Sequence, residues 1–114
     1  MILNLSGISR EDFEFGEAIN TIYSVLNEIR PPTNLIRNEA LARLQSSLMK
    51  ARALIKRNRG FETVIGYIDS IESIVEILLS KNEPVIIIDN NTKQEIMEKY
   101  TNLRAEIIKI YTHT

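Results

Sequence analysis

Cations recur at intervals of seven residues in the middle of the chain. Arg43, Lys50 and Arg57 follow one another at this spacing. Seven residues are close to two helical turns, so the spacing places the three side chains on one face of a helix, roughly opposite its apolar side. A guanidinium group suits phosphate binding because it can donate two parallel hydrogen bonds to phosphate oxygens. The pattern therefore indicates a face that could lie along a nucleic-acid backbone.

The segment around these cations is strongly basic. Residues 34–59 carry seven cations against one anion, a net charge of +6, in a chain whose net charge is −1. The candidates for contacts with a nucleic-acid backbone are Arg43, Lys50, Arg52, Lys56, Arg57 and Arg59. No aromatic side chains alternate with these cations, so base stacking is not predicted. We expect binding to phosphates that does not depend on base sequence, and the pattern does not separate RNA from DNA.

The next segment carries the opposite charge at the same spacing. Residues 61–83 hold five anions against one cation, a net charge of −4. The candidates for a protein interface are Glu62, Asp69, Glu76 and Glu83. If both faces point away from the core, they cannot pair within one molecule and would pair with further copies or other subunits. Two alternatives stay open: a protein–protein assembly or adaptor module with no nucleic-acid role, and ordinary solvated helix faces without a ligand.

Residue types that usually carry catalysis or bind metals are sparse. His113 is the only histidine, and the chain has no cysteine, so the common transition-metal ligands are missing. The carboxylates show no Glu-x-x-His spacing, and the four glycines form no phosphate-binding loop. We therefore expect no metal, no cofactor and no enzymatic activity. A small enzyme that uses carboxylates or lysine is the remaining alternative.

Four segments have the apolar periodicity of amphipathic helices. The periodic positions are Phe15, Ile19, Ile22, Leu26 and Ile29, then Leu41, Leu44, Leu48, Ala51 and Ile55, then Phe61, Val64, Ile68, Ile71, Val75 and Leu78, and finally Ile96, Tyr100, Leu103, Ile107 and Ile110. Helices with one apolar stripe each pack most simply as a bundle. The sequence predicts an all-α fold, a single four-helix bundle with up-down connectivity that forms one domain over residues 1–114.

Local features predict where the helices begin and end. Pro31-Pro32 must follow the first helix, and Gly60 makes so short a link that the second and third helices form an antiparallel hairpin. The run Thr92–Glu95 has the form of a capping box that starts the fourth helix. The β-branched residues 85–88 are either a short extended strand, paired with residues 2–5, or an extended connection.

The third predicted helix is apolar on nearly all sides. Beyond its periodic positions it also carries Ile65, Tyr67, Ile74, Ile77 and Leu79. Such a helix is either central to the fold or in contact with a partner. The chain shows no signal peptide and no apolar run long enough to span a membrane, so we expect a cytoplasmic protein that does not bind membranes.

In its length, its four-helix plan and its basic helix Leu48–Arg59 that leads into a hairpin, the chain resembles the small helical subunits of CRISPR–Cas effector complexes. In that family, short bundles stack in several copies along the guide–target backbone and take no part in catalysis. The resemblance implies a non-enzymatic subunit of an antiviral nucleoprotein complex. It also implies that the six cations named above contact the backbone. Helical coat proteins of filamentous viruses share the same outline.

Overall fold

The computed structural model describes residues 10–29, 34–55 and 61–112. In chain order the elements are α1 (Arg10–Leu26), β1 (Leu35–Arg37), α2 (Asn38–Leu54), α3 (Phe61–Leu79), β2 (Val85–Ile87) and α4 (Asn90–Thr112). The prediction of four helices is confirmed. The fold differs from an all-α bundle by one small sheet of two strands.

The helices pack on one another in chain order, α1 on α2, α2 on α3 and α3 on α4. The periodic apolar positions form the core, as the sequence predicts. Its fully buried side chains include Ile22, Leu41, Leu44, Leu48, Ile68, Ile71, Ile96 and Leu103. The periodicity fails only at the end of α4, where Ile107 and Ile110 are partly buried.

The residues after Pro84 form a strand, which was one of the two structures predicted for them. β2 pairs antiparallel with β1, and Ile36 stands opposite Ile86 in the register. Residues 2–5, the predicted partner, lie outside the described residues. Residues 35–37 are extended, and α2 begins at Asn38. The sheet thus joins the α1–α2 connection to the α3–α4 connection.

One face of the sheet covers the core and the other faces solvent. Ile36 and Ile86 are buried, while the residues beside them in each strand are exposed. Successive side chains of a strand point to opposite faces. The outer face therefore carries Leu35 and Arg37 from β1, together with Val85 and Ile87 from β2.

Asn34 ties the start of β1 to the start of α4. Its side chain is buried, its amide nitrogen donates to Asn90 Oδ1 at 2.6 Å, and its Oδ1 accepts from Lys93 Nζ at 3.3 Å. Its backbone carbonyl accepts from the Ile88 amide at 3.0 Å. Asn34 has a φ of 50°, in the left-handed region that asparagine tolerates better than most residues. Three hydrogen bonds therefore fix Asn34 against Ile88 and the first turn of α4.

The N-terminal cap of α4 is Asp89, so the capping box predicted at Thr92 is wrong. The helix begins at Asn90, and Asp89 Oδ1 accepts a hydrogen bond from the Thr92 backbone amide at 2.7 Å. Aspartate at this position satisfies an amide that the helix itself leaves unpaired. The hydrogen bonds from the Thr92 backbone and hydroxyl lower the pKa of the Asp89 carboxyl group.

Replacing Asp89 with alanine should lower the thermal midpoint of unfolding at neutral pH. Because the pKa of Asp89 is lower in the folded chain than its ordinary value of 3.8, its contribution is fully present above pH 3.8. The contribution disappears as the pH falls through the lower, folded-state pKa. Thermal unfolding of the wild type and of Asp89→Ala from pH 2 to 7 should therefore give midpoints that converge at low pH. Asp89→Asn keeps the acceptor without the charge and should stay closer to the wild type at neutral pH. A constant gap between wild type and alanine variant across this range would contradict the assignment.

Candidate nucleic-acid interface

The orientation of α2 is set by its buried side. Ala40, Leu41, Leu44, Leu48 and Ala51 are all buried against the bundle. The positions furthest around the helix from this stripe are exposed and hold the small residues Ala42, Ser46 and Ala53. Arg43 and Lys50 were predicted to lie roughly opposite the stripe, yet they flank this small-residue strip.

Arg43 lies on the side of α2 that borders α1. Its Nη2 contacts Glu28 Oε2 at 2.8 Å, and the two side chains remain 54% and 36% exposed. Glu28 also lies 3.6 Å from Arg37 Nη2, and Arg37 Nη1 contacts Glu39 at 2.9 Å. Exposed ion pairs of this kind contribute about 0–1 kcal/mol each. Arg37 was not among the predicted backbone contacts, although it belongs to the same surface.

Lys50 is exposed and forms no ion pair with the described part of the chain. It lies two helical turns beyond Arg43, on the same side of α2. We call these two residues the basic side of α2. Lys56, Arg57 and Arg59 lie outside the described residues, so the structure bears on three of the six predicted contacts.

Arg52 is the third predicted backbone contact within the described residues, and it joins α2 to α3. Its Nη2 contacts Glu72 Oε2 at 2.8 Å and also binds Asp69. Partial burial acts to lower the pKa of Arg52, but hydrogen bonds and charge attraction from both carboxylates outweigh it and raise that pKa. The second carboxylate oxygen of Glu72 is buried and accepts no hydrogen bond from the described residues. These contacts indicate a structural role for Arg52.

The four predicted acidic residues do not share one surface. Glu62 and Glu76 are exposed on α3, whereas Glu83 follows the end of the helix at Leu79 and lies in the connection to β2. The acidic and basic faces were expected to stay unpaired within one molecule only if both point away from the core. That condition is not met at Asp69, which binds Arg52. A spacing of seven predicts a shared face only as far as the helix continues.

An aromatic contact that the sequence analysis missed joins α1 to α4. The rings of Tyr23 and Tyr100 stack with centroids 5.9 Å apart, and the Arg104 guanidinium lies 5.9 Å from the Tyr23 centroid. The Tyr100 hydroxyl donates to the Ile19 carbonyl at 3.4 Å. Burial raises the pKa of that hydroxyl. The contact is a packing interaction that leaves Arg104 exposed beside Tyr23.

Two shallow grooves border the sheet. The larger, of about 550 Å³, is lined by Arg37, Asn38 and Glu39 on one side and by residues 82–85 on the other. The smaller, of about 340 Å³, lies between β2 and the α3–α4 pair. Within residues 10–29, 34–55 and 61–112, no three His, Cys, Asp or Glu side chains are grouped closely enough to hold a metal ion.

Comparisons with known proteins assign no family. Across the described ranges, no helix has the length and apolar character needed to cross a membrane. The resemblance to CRISPR–Cas subunits stays a prediction. No protein-family model, curated protein or solved structure matches this chain.

Proposed function

We propose that the protein is a non-enzymatic helical subunit of a larger nucleoprotein assembly, and that the basic side of α2 binds backbone phosphates. The observation that carries this proposal is the exposure of Arg43 and Lys50 on one side of α2. Their Cα atoms are about 10 Å apart along the helix axis. Two cations at a fixed separation can neutralise two phosphates of one strand.

The ion pair of Arg43 is compatible with phosphate binding. Both members are exposed to solvent, so exchanging Glu28 for a phosphate group costs about 1 kcal/mol or less. Arg52 differs, because its partner Glu72 is only 18% exposed. We therefore restrict the proposed contacts among the described residues to Arg43 and Lys50.

A protein–protein assembly module without a nucleic-acid role is the second candidate. It is supported by four large apolar side chains at the sheet end of the bundle: Leu35, Val85, Ile87 and Ile77 are 41%, 43%, 69% and 65% exposed. We call them the sheet-end patch. Neighbouring exposed apolar side chains often mark protein contacts. The two candidates are compatible, since the sheet-end patch and the basic side of α2 involve different residues.

Up-down connectivity, a single domain and a cytoplasmic location are also proposals. The connectivity is supported by Glu28, which follows α1 and contacts Arg37 and Arg43 at the start of α2. It is also supported by the sheet, which links the connection before α2 to the connection after α3. Both connections would then lie at the same end of the bundle. The lack of cysteine fits a reducing compartment.

Nucleic-acid binding should weaken steeply with salt and depend on the basic side of α2. Fluorescence anisotropy with labelled single-stranded and duplex DNA and RNA, from 50 to 300 mM salt, gives the slope of log K against log salt. The double variant Arg43→Ala/Lys50→Ala should reduce the steepness of that slope by about 1.4–1.8, the value for two lost phosphate contacts.

The matched control removes one arginine and one lysine elsewhere. Arg10 is 91% exposed at the start of α1, and Lys81 is exposed after α3. Arg10→Ala/Lys81→Ala therefore changes the net charge equally and should leave the slope nearly unchanged. No binding at low salt, or equal losses in the two double variants, would overturn the α2 contact.

A further inference from the structure

The outer edge of β2 carries backbone groups that have no partner in the described part of the chain. The Ile88 amide donates to the Asn34 carbonyl at 3.0 Å, and the Asn38 amide donates to the Pro84 carbonyl at 2.9 Å. Hydrogen-bonded and non-hydrogen-bonded pairs alternate in an antiparallel ladder. The pairs formed by Val85 and Ile87 with β1 are therefore non-hydrogen-bonded, and the amides and carbonyls of these two residues point away from β1.

An apolar groove lies beside this edge. The groove of about 340 Å³ is lined by the apolar residues Ile74, Ile77, Leu78 and Ile87 and by the polar residues Lys81, Asp89, Thr92 and Glu95. We call it the β2 groove. Ile77 and Ile87 are the two most exposed large apolar side chains of the described residues, at 65% and 69%. Covering them removes apolar surface from water, which favours binding.

The surroundings of the groove are acidic. Asp89 follows β2, Glu95 lies on the first turns of α4, and both line the groove. The cation among the lining residues is Lys81, which is close enough to Asp89 to act on the pKa of its carboxyl group. One cation against two anions leaves the groove lining with a net negative charge. A bound segment with a basic residue at its end would complement that charge.

We infer that β2 and its groove bind an extended apolar segment of another protein, with a lysine or arginine at its ends, by strand addition. Main-chain hydrogen bonds to Val85 and Ile87 supply affinity, and alternate side chains of the added strand enter the groove. The added strand also protects an edge that no described residue of this chain covers, and an exposed edge of this kind can pair with other chains. This inference involves no residue of the basic side of α2 and does not depend on nucleic-acid binding.

A second copy of this chain fits the edge less well. Antiparallel pairing of two β2 strands through the amides of Val85 and Ile87 places Ile86 on the two-fold axis. That register sets Glu83 of one copy opposite Asp89 of the other at both ends of the strand pair. Like charges directly opposite each other destabilise a strand pair. A foreign segment with basic ends has no such conflict.

The test uses the full chain and a labelled peptide, Lys-Thr-Val-Thr-Ile-Thr-Lys, whose apolar side chains alternate with threonine. Fluorescence anisotropy should show saturable binding at concentrations below 1 mM. Ile77→Ala/Ile87→Ala should weaken binding about tenfold, and both positions are exposed, so the fold should persist. Methylating alternate backbone nitrogens of the peptide, so that the edge-facing amides are lost, should abolish binding, and exchanging its lysines for glutamates should weaken it.

Three outcomes would overturn the inference. Absence of binding at 1 mM peptide removes the site, and equal binding of the N-methylated peptide removes strand addition. A homodimer in sedimentation equilibrium that the same Ile77→Ala/Ile87→Ala variant disrupts would show that a second copy occupies the edge. Met49→Ala/Ile108→Ala is the matched control, since it truncates two exposed apolar residues of α2 and α4 that do not line the groove and should leave peptide affinity unchanged.

Discussion

Replacing Ile71 with alanine should lower the free energy of unfolding by about 2–5 kcal/mol. Ile71 is fully buried in the middle of α3, a helix that packs against both α2 and α4. Truncation removes apolar contacts and leaves a cavity that backbone relaxation fills only in part. Domains of this size are stable by about 5–15 kcal/mol, so the loss is a large fraction of the total. Urea denaturation followed by circular dichroism measures it.

Ile77→Ala is the matched control for this prediction, because it is the same substitution in the same helix. Ile77 is 65% exposed, so its truncation leaves no cavity and should change stability by no more than about 0.5 kcal/mol. Alanine also has the higher helix propensity, which offsets part of any loss. Equal destabilisation by the two variants would mean that the buried side of α3 is assigned incorrectly.

The buried and exposed sides of α3 illustrate what helical periodicity can predict. The spacing of Val64, Ile68 and Ile71 predicts their burial, and all three are fully buried. The apolar residues of α3 beyond its periodic positions allow two alternatives. Either α3 is central to the fold, or these residues contact a partner. α3 lies between α2 and α4, and most of its additional residues are partly buried. Ile77 remains exposed and lines the β2 groove, so periodicity alone did not separate the two alternatives.

The sheet could not be predicted in the same way. β1 has three residues, too few to show a period, and its alternation of apolar and polar residues also fits the first turn of a helix. Its pairing of Ile36 with Ile86 joins residues fifty positions apart. Helical patterns are local, whereas a strand of this length is stabilised by contacts that only the complete fold provides.

The candidate site could be predicted only in part from the sequence. The spacing of Arg43 and Lys50 correctly places them on one exposed side of α2. Which carboxylates lie next to them depends on the packing order of the helices. Glu28, in the turn after α1, contacts Arg43 from fifteen residues away, and Glu72 contacts Arg52 from α3, twenty residues away. No spacing within one helix contains that information.

Replacing Arg52 with alanine should lower the free energy of unfolding by about 1–3 kcal/mol. The expected loss is larger than for a surface pair because Glu72 is only 18% exposed, and its charge would lose its partner in a half-buried position. The loss stays below that of a fully buried pair because Arg52 itself is 38% exposed and screened by solvent. Urea denaturation at neutral pH measures the change.

A double-mutant cycle separates this structural role from nucleic-acid binding. Glu72→Gln removes the charge that Arg52 compensates, so Arg52→Ala should cost less in the Glu72→Gln background than in the wild type. Asp69→Asn should cost less than Arg52→Ala, since Asp69 is 54% exposed. If Arg52 acts only within the bundle, folded Arg52→Ala protein keeps the salt dependence of nucleic-acid binding. A slope reduced by about 0.7–0.9, one phosphate contact, together with unchanged stability would instead place Arg52 in the nucleic-acid interface.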